Sequence, residues 1–272
     1  MAAVAAAATA SAATSTALRG VGVVIARFPR GGSALRWLHP SSSRWPRAEA
    51  GGRVGLVYAG RVEPHQSLES LARELAALPL SLGPVRLVGI DGHAGSGKST
   101  FAGRLAEALG GAPVLHLDDV ATHEELFGWE ERLRAQVLEP LAAGRPAHWA
   151  PYDWVERRFG PQRVLEPAPV LLVEGVGAGR RALRPHLARL LWMETPRAQS
   201  WLRGRNRDGR ELSDFWDGWE RAERAHFSDD PSRPFADTLV RQSGTGYEWS
   251  SGTGATAGTA ASVTEGDDFP RA

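Results

Sequence analysis

The chain has 272 residues, with 32 basic and 31 acidic side chains and a formal net charge of +1. That length gives one or two domains with a full core, and 42% hydrophobic with 23% charged residues is ordinary globular composition. The absence of cysteine excludes disulfide frameworks, thiolate metal sites and cysteine nucleophiles. The near balance of charge argues against a nucleic-acid partner. No apolar run reaches the roughly 18 residues of a membrane span, so no membrane partner and a cytoplasmic location are expected.

Residues 1–66 read as a low-complexity, Arg- and Ala-rich extension. Six arginines and no acid precede Glu49. This composition fits a targeting segment, a dispensable disordered extension, or translation from an upstream start codon. Removing those six arginines leaves 26 basic against 31 acidic residues, a net of −5, which weakens a nucleic-acid reading further. Residues 67–242 read as one domain. Residues 243–272, rich in Gly, Thr, Ser and Ala, read as a disordered tail, because so few apolar anchors do not offset the entropy of ordering.

Within the domain, apolar strands alternate with helices. Residues 85–90 form a buried-type strand ending at Asp91-Gly92. A helix follows, with Phe101, Leu105 and Leu109 on one face and Gly110-Gly111 as its stop. Residues 113–117 give a second strand ending at Asp118-Asp119, and 124–141 a second helix. Residues 169–173 give a third strand, ending at Glu174-Gly175, and 190–193 a fourth. Helices are expected at 196–208 and, bearing tryptophans, at 211–227, with 238–241 closing the sheet. Continuous apolar strands separated by helices imply a mostly parallel sheet covered on both faces.

Gly92-His93-Ala94-Gly95-Ser96-Gly97-Lys98-Ser99, followed by Thr100, matches G-x-x-x-x-G-K-[ST] between a strand and a helix. Its glycines let backbone N–H groups close around phosphate, and the helix start favours an anion. Lys98 is the single lysine in the chain, the other 31 cations being arginine. A compositional bias that replaces lysine nearly everywhere but spares position 98 marks a site needing a compact ammonium. ATP is the expected cofactor, with Ser99 on Mg²⁺. The fold class follows: a P-loop NTPase three-layer α/β sandwich with an Arg-bearing lid.

Ligands of open α/β sheets collect outside the carboxyl ends of the strands, where Asp118, Asp119 and Glu174 lie. Glu174 fits a metal-supporting acid, and Asp118 is favoured over Asp119 as the base that takes the proton of an attacking hydroxyl. Arg203 and Arg207 share a helix face and could clamp a transferring phosphoryl group as a lid, although arginine clusters are usually solvated faces. Tyr152, Asp153 and Trp154 lie in an aromatic loop that could stack on a flat ring and bond sugar hydroxyls, or simply pack on the body. Trp216, Trp219, His226 and Phe227 read as core. His93 occupies a variable loop position and is given no chemistry beyond the loop itself.

Taken in order, Asp91 to Thr100, Leu117-Asp118-Asp119, Tyr152-Asp153-Trp154, Val173-Glu174-Gly175 and Arg207-Asp208 resemble the motifs of uridine kinase-like P-loop kinases, over about residues 85–240. The resemblance implies that Asp118 accepts the proton of a 5′-hydroxyl, that Lys98 and Ser99 hold ATP·Mg²⁺, and that Tyr152, Asp153 and Trp154 line the nucleoside site. The family's aromatic pair after the base is here Val120-Ala121, and its histidine three positions after the aromatic is Arg157. These departures fall on base recognition, so Arg157 is carried as a candidate acceptor contact beside Asp119.

The expected activity is therefore ATP-dependent phosphorylation of a nucleoside-like small molecule. The alternatives are a regulatory P-loop ATPase and a kinase of a non-nucleoside or nucleotide acceptor, which Arg157 and Arg158 would suit. A guanine-specific switch is excluded, since its Asn/Thr-Lys-x-Asp element needs a second lysine. The sequence leaves the oligomeric state open.

Overall fold

The computed structural model describes residues 67–254, all within one compact unit. The expectations for residues 1–66 and 255–272 fall outside the described residues. Strand β1 (Arg86–Asp91) lies at the centre of a six-stranded sheet. On one side it pairs in parallel with β7 (Val170–Glu174), which pairs in parallel with β2 (Val114–His116). On the other side come β8 (Leu187–Met193) and β9 (Thr238–Ser243), both parallel, and an antiparallel edge strand, β10 (Gly246–Ser251).

The strand periodicity of two explains the layering. Leu87 of β1 and Leu171 and Val173 of β7 point into one core, with Leu133, Val137 and Leu141 from the helical segment on that face. Val88 and Ile90 of β1 and Val170 and Leu172 of β7 point into the other. There they meet Phe101 and Leu105 of α2 (Lys98–Ala108), and Leu71 and Leu75 of α1 (Leu68–Ala76). A sheet buried on both faces needs apolar residues at every strand position, which is why these strands read as unbroken runs. The expected three-layer α/β arrangement is present.

Helix α1 was not foreseen. It begins at a capping box in which Ser67 Oγ accepts from Ser70 N (3.2 Å) and Ser70 Oγ accepts from Ser67 N (3.3 Å). The single helix expected over 124–141 starts later and is interrupted: α3 (Glu130–Leu133), a π-helical turn (Arg134–Leu138) and α4 (Glu139–Ala142). Pro140 accounts for the wide turn, because its missing N–H and its ring both conflict with α-helical pairing to residue 136. Between α4 and β7 the chain forms two small antiparallel ribbons instead of open loop. One joins β3 (Ala147–Trp149) to β6 (Arg163–Leu165), the other β4 (Tyr152–Asp153) to β5 (Arg158–Phe159).

The domain also runs past 242, which corrects the expectation that the tail starts at Ser243. Gly244 (φ +55°) and Thr245 turn the chain so that Gly246 pairs with Ser243. Tyr247 and Trp249, two apart, then pack on the α2 side of the core, with Tyr247 edge-on to Phe101 at 4.8 Å. No helix among the described residues is long and apolar enough to cross a membrane.

Helices α5 (Arg197–Asp208) and α6 (Ser213–Asp229) meet through Trp201, Trp216 and Trp219. Gly204 makes this contact possible: a Cβ there would stand 2.2 Å from the Trp216 ring, whose Nε1 is held by Asp208 Oδ2 at 3.1 Å. Gly204→Ala should therefore destabilise the fold, since overpacking costs about 1–3 kcal/mol and outweighs the ~1 kcal/mol that alanine adds to a helix. Thermal unfolding should show a fall in Tm of several degrees; a raised Tm would contradict this packing.

Candidate active site

The chain runs from β1 through α2 to β2, beyond β7, whereas the connection after β7 crosses back to β8. Strands β1 and β7 thus flank a topological switch point, where open α/β sheets leave a crevice at the carboxyl ends of the strands. The Gly92–Lys98 loop lies there. Its strand-end residue, Asp91, is fully buried; Oδ1 accepts from Gly92 N (2.7 Å) and Gly177 N (3.0 Å), and Oδ2 from Gly179 N (2.8 Å). One carboxylate thus fixes the starts of the loops after β1 and β7 together.

Gly95 (φ +81°) and Gly97 (φ +95°) adopt left-handed backbone. At Gly95 a side chain is also sterically impossible, because a Cβ would lie 2.0 Å from the Ser200 carbonyl oxygen of α5. Helix α2 starts at Lys98 with no side-chain cap on its first N–H groups, leaving them for an anion. The buried Lys98 Nζ donates to the carbonyls of Gly92 (2.9 Å) and His93 (3.0 Å), and an ammonium has a third proton for phosphate. Ser96 Oγ is buried in the same loop without a partner among the described residues. These features fit a triphosphate.

Ser99 Oγ donates to Glu174 Oε1 at 3.0 Å. The second neighbour of that oxygen is His116 Nδ1, at 2.5 Å, a residue the sequence reading missed. Burial opposes charge on Glu174, but His116, Lys98 and Ser99 outweigh it and hold the carboxyl below its ordinary value, while Glu174 raises His116. An ionised carboxylate beside a hydroxyl suits Mg²⁺, which takes few protein ligands and completes its shell with phosphate and water. Among the described residues no group of three or more His, Asp or Glu side chains could hold a metal alone.

Asp118 and Asp119 separate into different environments. Asp118 is exposed to solvent in the short turn after β2, yet the protein massed around it and the charge of Glu174 push its carboxyl up to about 6 against the pull of Lys98 and His116. Its main-chain carbonyl accepts from Trp154 Nε1 at 3.1 Å. Asp119 points toward the ribbons, where Arg163 Nη1 stands 3.5 Å from Oδ2; burial raises its carboxyl and Arg163 opposes.

No family model matches the chain. Curated uridine kinases from Borrelia duttonii (strain Ly) and Borrelia hermsii (strain HS1 / DAH) are 22% and 23% identical over 181 residues, covering 59% of this chain and 88% of each of theirs. A solved structure of a possible uridine kinase from Bacillus stearothermophilus is 21% identical, with a TM-score of 0.42, covering 55% of this chain and 89% of that one. The chain is distantly similar to uridine kinases.

The Tyr152–Trp154 segment packs among aromatic rings. Tyr152 is buried and bonded through its hydroxyl to His123 Nδ1 (3.0 Å); Trp154 and Phe159 stand edge-on to its ring, and Phe215 of α6 stands edge-on to Trp154. Asp153 Oδ1 accepts from Val155 N (3.0 Å) and Glu156 N (2.9 Å), so that oxygen shapes the β4–β5 turn. Arg157 sits in that turn at φ +53° and pairs with Glu124 at 3.1 Å. Val120 and Ala121 are both in the core. Two open cavities lie away from the phosphate loop. One, of about 300 Å³, is lined by Arg132, Gln136, His148, Trp149 and Phe159; the other, of about 350 Å³, by Arg205, Asn206 and Arg210.

The arginines of α5 also divide. Arg205 is tied to Glu220 (2.6 Å) and Asp217 (2.5 Å) and joins α5 to α6. Arg207 forks onto Asp208 (2.6 and 2.9 Å), which raises its basicity, and feels the charge of Asp118. Arg203 is exposed, with no ion pair among the described residues. Trp216 and Trp219 are core, as expected.

Proposed function

We propose that this chain transfers the γ-phosphoryl group of ATP to a hydroxyl of a nucleoside or similar small molecule. The reading rests on Asp118, a solvent-reached carboxylate within the electrostatic field of Lys98 and Arg207, beside Glu174 and the phosphate loop. A base poised near 6 is ionised at neutral pH yet can still receive a proton.

The Gly92–Thr100 backbone binds the β- and γ-phosphates. Lys98 places its ammonium on them, and Ser99 with Glu174 would hold Mg²⁺, which supplies charge neutralisation when bound. Asp118 takes the proton of the acceptor hydroxyl as the new O–P bond forms and the bond to the ADP oxygen breaks. Arg207, and Arg203 one turn away, neutralise the phosphoryl group in flight. Trp154, held on the Asp118 carbonyl, and Tyr152 border the acceptor, with Asp119 and Arg157 at its outer edge. Catalysis on this view is mainly positioning and charge compensation.

The test is ADP formation by the full chain with ATP and Mg²⁺ against nucleosides, nucleotides and small alcohols. Acceptor-dependent ADP formation is expected and names the acceptor class. ATP binding without acceptor-dependent turnover would overturn the kinase reading in favour of a regulatory ATPase.

A further inference from the structure

Glu223 of α6 is fully buried, and four donors converge on its carboxylate. Oε1 accepts from His93 Nδ1 (2.7 Å) and Trp201 Nε1 (3.0 Å); Oε2 accepts from Ala94 N (3.0 Å) and Trp219 Nε1 (3.0 Å). Two of these donors belong to the phosphate loop, one to α5 and one to α6 itself. The His93 ring is further enclosed edge-on by Trp192 (5.4 Å), Trp201 (6.4 Å) and Phe227 (5.3 Å).

A buried carboxylate behind an anion-binding loop is electrostatically unfavourable for an incoming phosphate, so its presence needs a reason. The donor count supplies one. A carboxylate offers about four acceptor sites, whereas the amide of glutamine must turn its NH₂ toward two of the four donors. No neutral side chain of this length satisfies the set, and a buried donor without a partner is costly. The carboxylate is thus the group that can hold His93 and Ala94 and grip Trp201 of α5 at once. Gly95, the next residue of the loop, rests on the α5 backbone at Ser200, so the same helix supports the loop a second time.

We propose that Glu223 is a positioning residue for nucleotide binding. It locks the His93–Ala94 arm of the phosphate loop in its phosphate-receiving shape and ties that arm through Trp201 to the helix carrying Arg203 and Arg207. Glu223 touches no substrate itself; it acts through the loop. The proposal rests on the reading of Gly92–Thr100 as an ATP site, but not on the identity of any acceptor.

The experiment measures equilibrium binding of a fluorescent ATP analogue with Mg²⁺ to the full chain, alongside Tm, for wild type, Glu223→Gln, Glu223→Asp and Trp219→Phe. Trp219→Phe removes a donor that belongs only to α6, so it controls for lost stability without touching the loop. Glu223→Gln should weaken nucleotide binding tenfold or more, and Glu223→Asp, which keeps both oxygens but is one methylene shorter, at least threefold. Trp219→Phe should stay within threefold of wild type even where its Tm falls as far. If Glu223→Gln does not fold, Glu223→Asp against Trp219→Phe carries the test. Wild-type affinity in the glutamate variants, or equal weakening in Trp219→Phe, overturns the proposal. A wild-type chain that binds ATP but phosphorylates nothing sinks the kinase reading and leaves this result standing; one that does not bind ATP overturns both.

Discussion

Asp118→Asn is expected to lower acceptor-dependent kcat/KM by about 10²- to 10⁴-fold, the range for loss of a general base. ATP affinity should stay within a few-fold of wild type, because the proposed role sets Asp118 against the acceptor hydroxyl and not against the nucleotide. Tm should not fall. The folded protein raises this carboxyl from 3.8 to about 6, so the fold disfavours its charge and accommodates a neutral amide. The same shift sets the pH profile. A base works only when ionised, so wild-type kcat/KM should be flat above about 6 and fall tenfold per pH unit below it. In Asp118→Asn that acid limb should vanish together with the rate. If the limb and the rate survive there and are lost in Asp119→Asn, the neighbour is the base.

Lys98→Arg should reduce turnover by about 10²- to 10³-fold, the usual cost of removing one well-placed charge donor from a transferring oxyanion. The substitution keeps the charge, so the loss would come from shape. The buried ammonium bonds the carbonyls of Gly92 and His93 at 2.9 and 3.0 Å, a geometry that a planar, longer guanidinium cannot reproduce. Steady-state kinetics of the full chain would measure it. Retention of more than a tenth of the activity would mean that the one lysine among 32 basic residues is an accident of composition.

The phosphate loop and the acids at the strand ends were legible because each depends on a short stretch of chain. Lys98 and Ser99 were singled out by local spacing, and the apolar runs of β1, β7 and the second half of β8 (residues 190–193) announce themselves as strands. Glu223 was not legible: its donors come from positions 93, 94, 201 and 219, and nothing around it in sequence separates it from the solvated acids of α6. His116 was hidden similarly, since only the pairing of β2 with β7 sets it opposite Glu174. The division of labour among Arg203, Arg205 and Arg207 depended on where Asp208, Asp217 and Glu220 fall. The ribbons around Tyr152 and Trp154 escaped notice because strands of two or three residues leave almost no periodicity to read.

The terminal hairpin changes where this protein can be cut. A fragment ending at Gln242, the boundary that composition alone advises, would discard Tyr247 and Trp249. It would uncover the flank of Phe101, on the helix whose first turn carries Lys98 and Ser99. Such a fragment would keep every residue of the phosphate loop yet strip the outer support of α2, and a low yield or weak nucleotide binding from it would say nothing about chemistry. Fragments meant for crystals or kinetics should therefore run at least through Gly254, whose amide bonds the Ala236 carbonyl at 3.0 Å and closes the hairpin against the body of the domain.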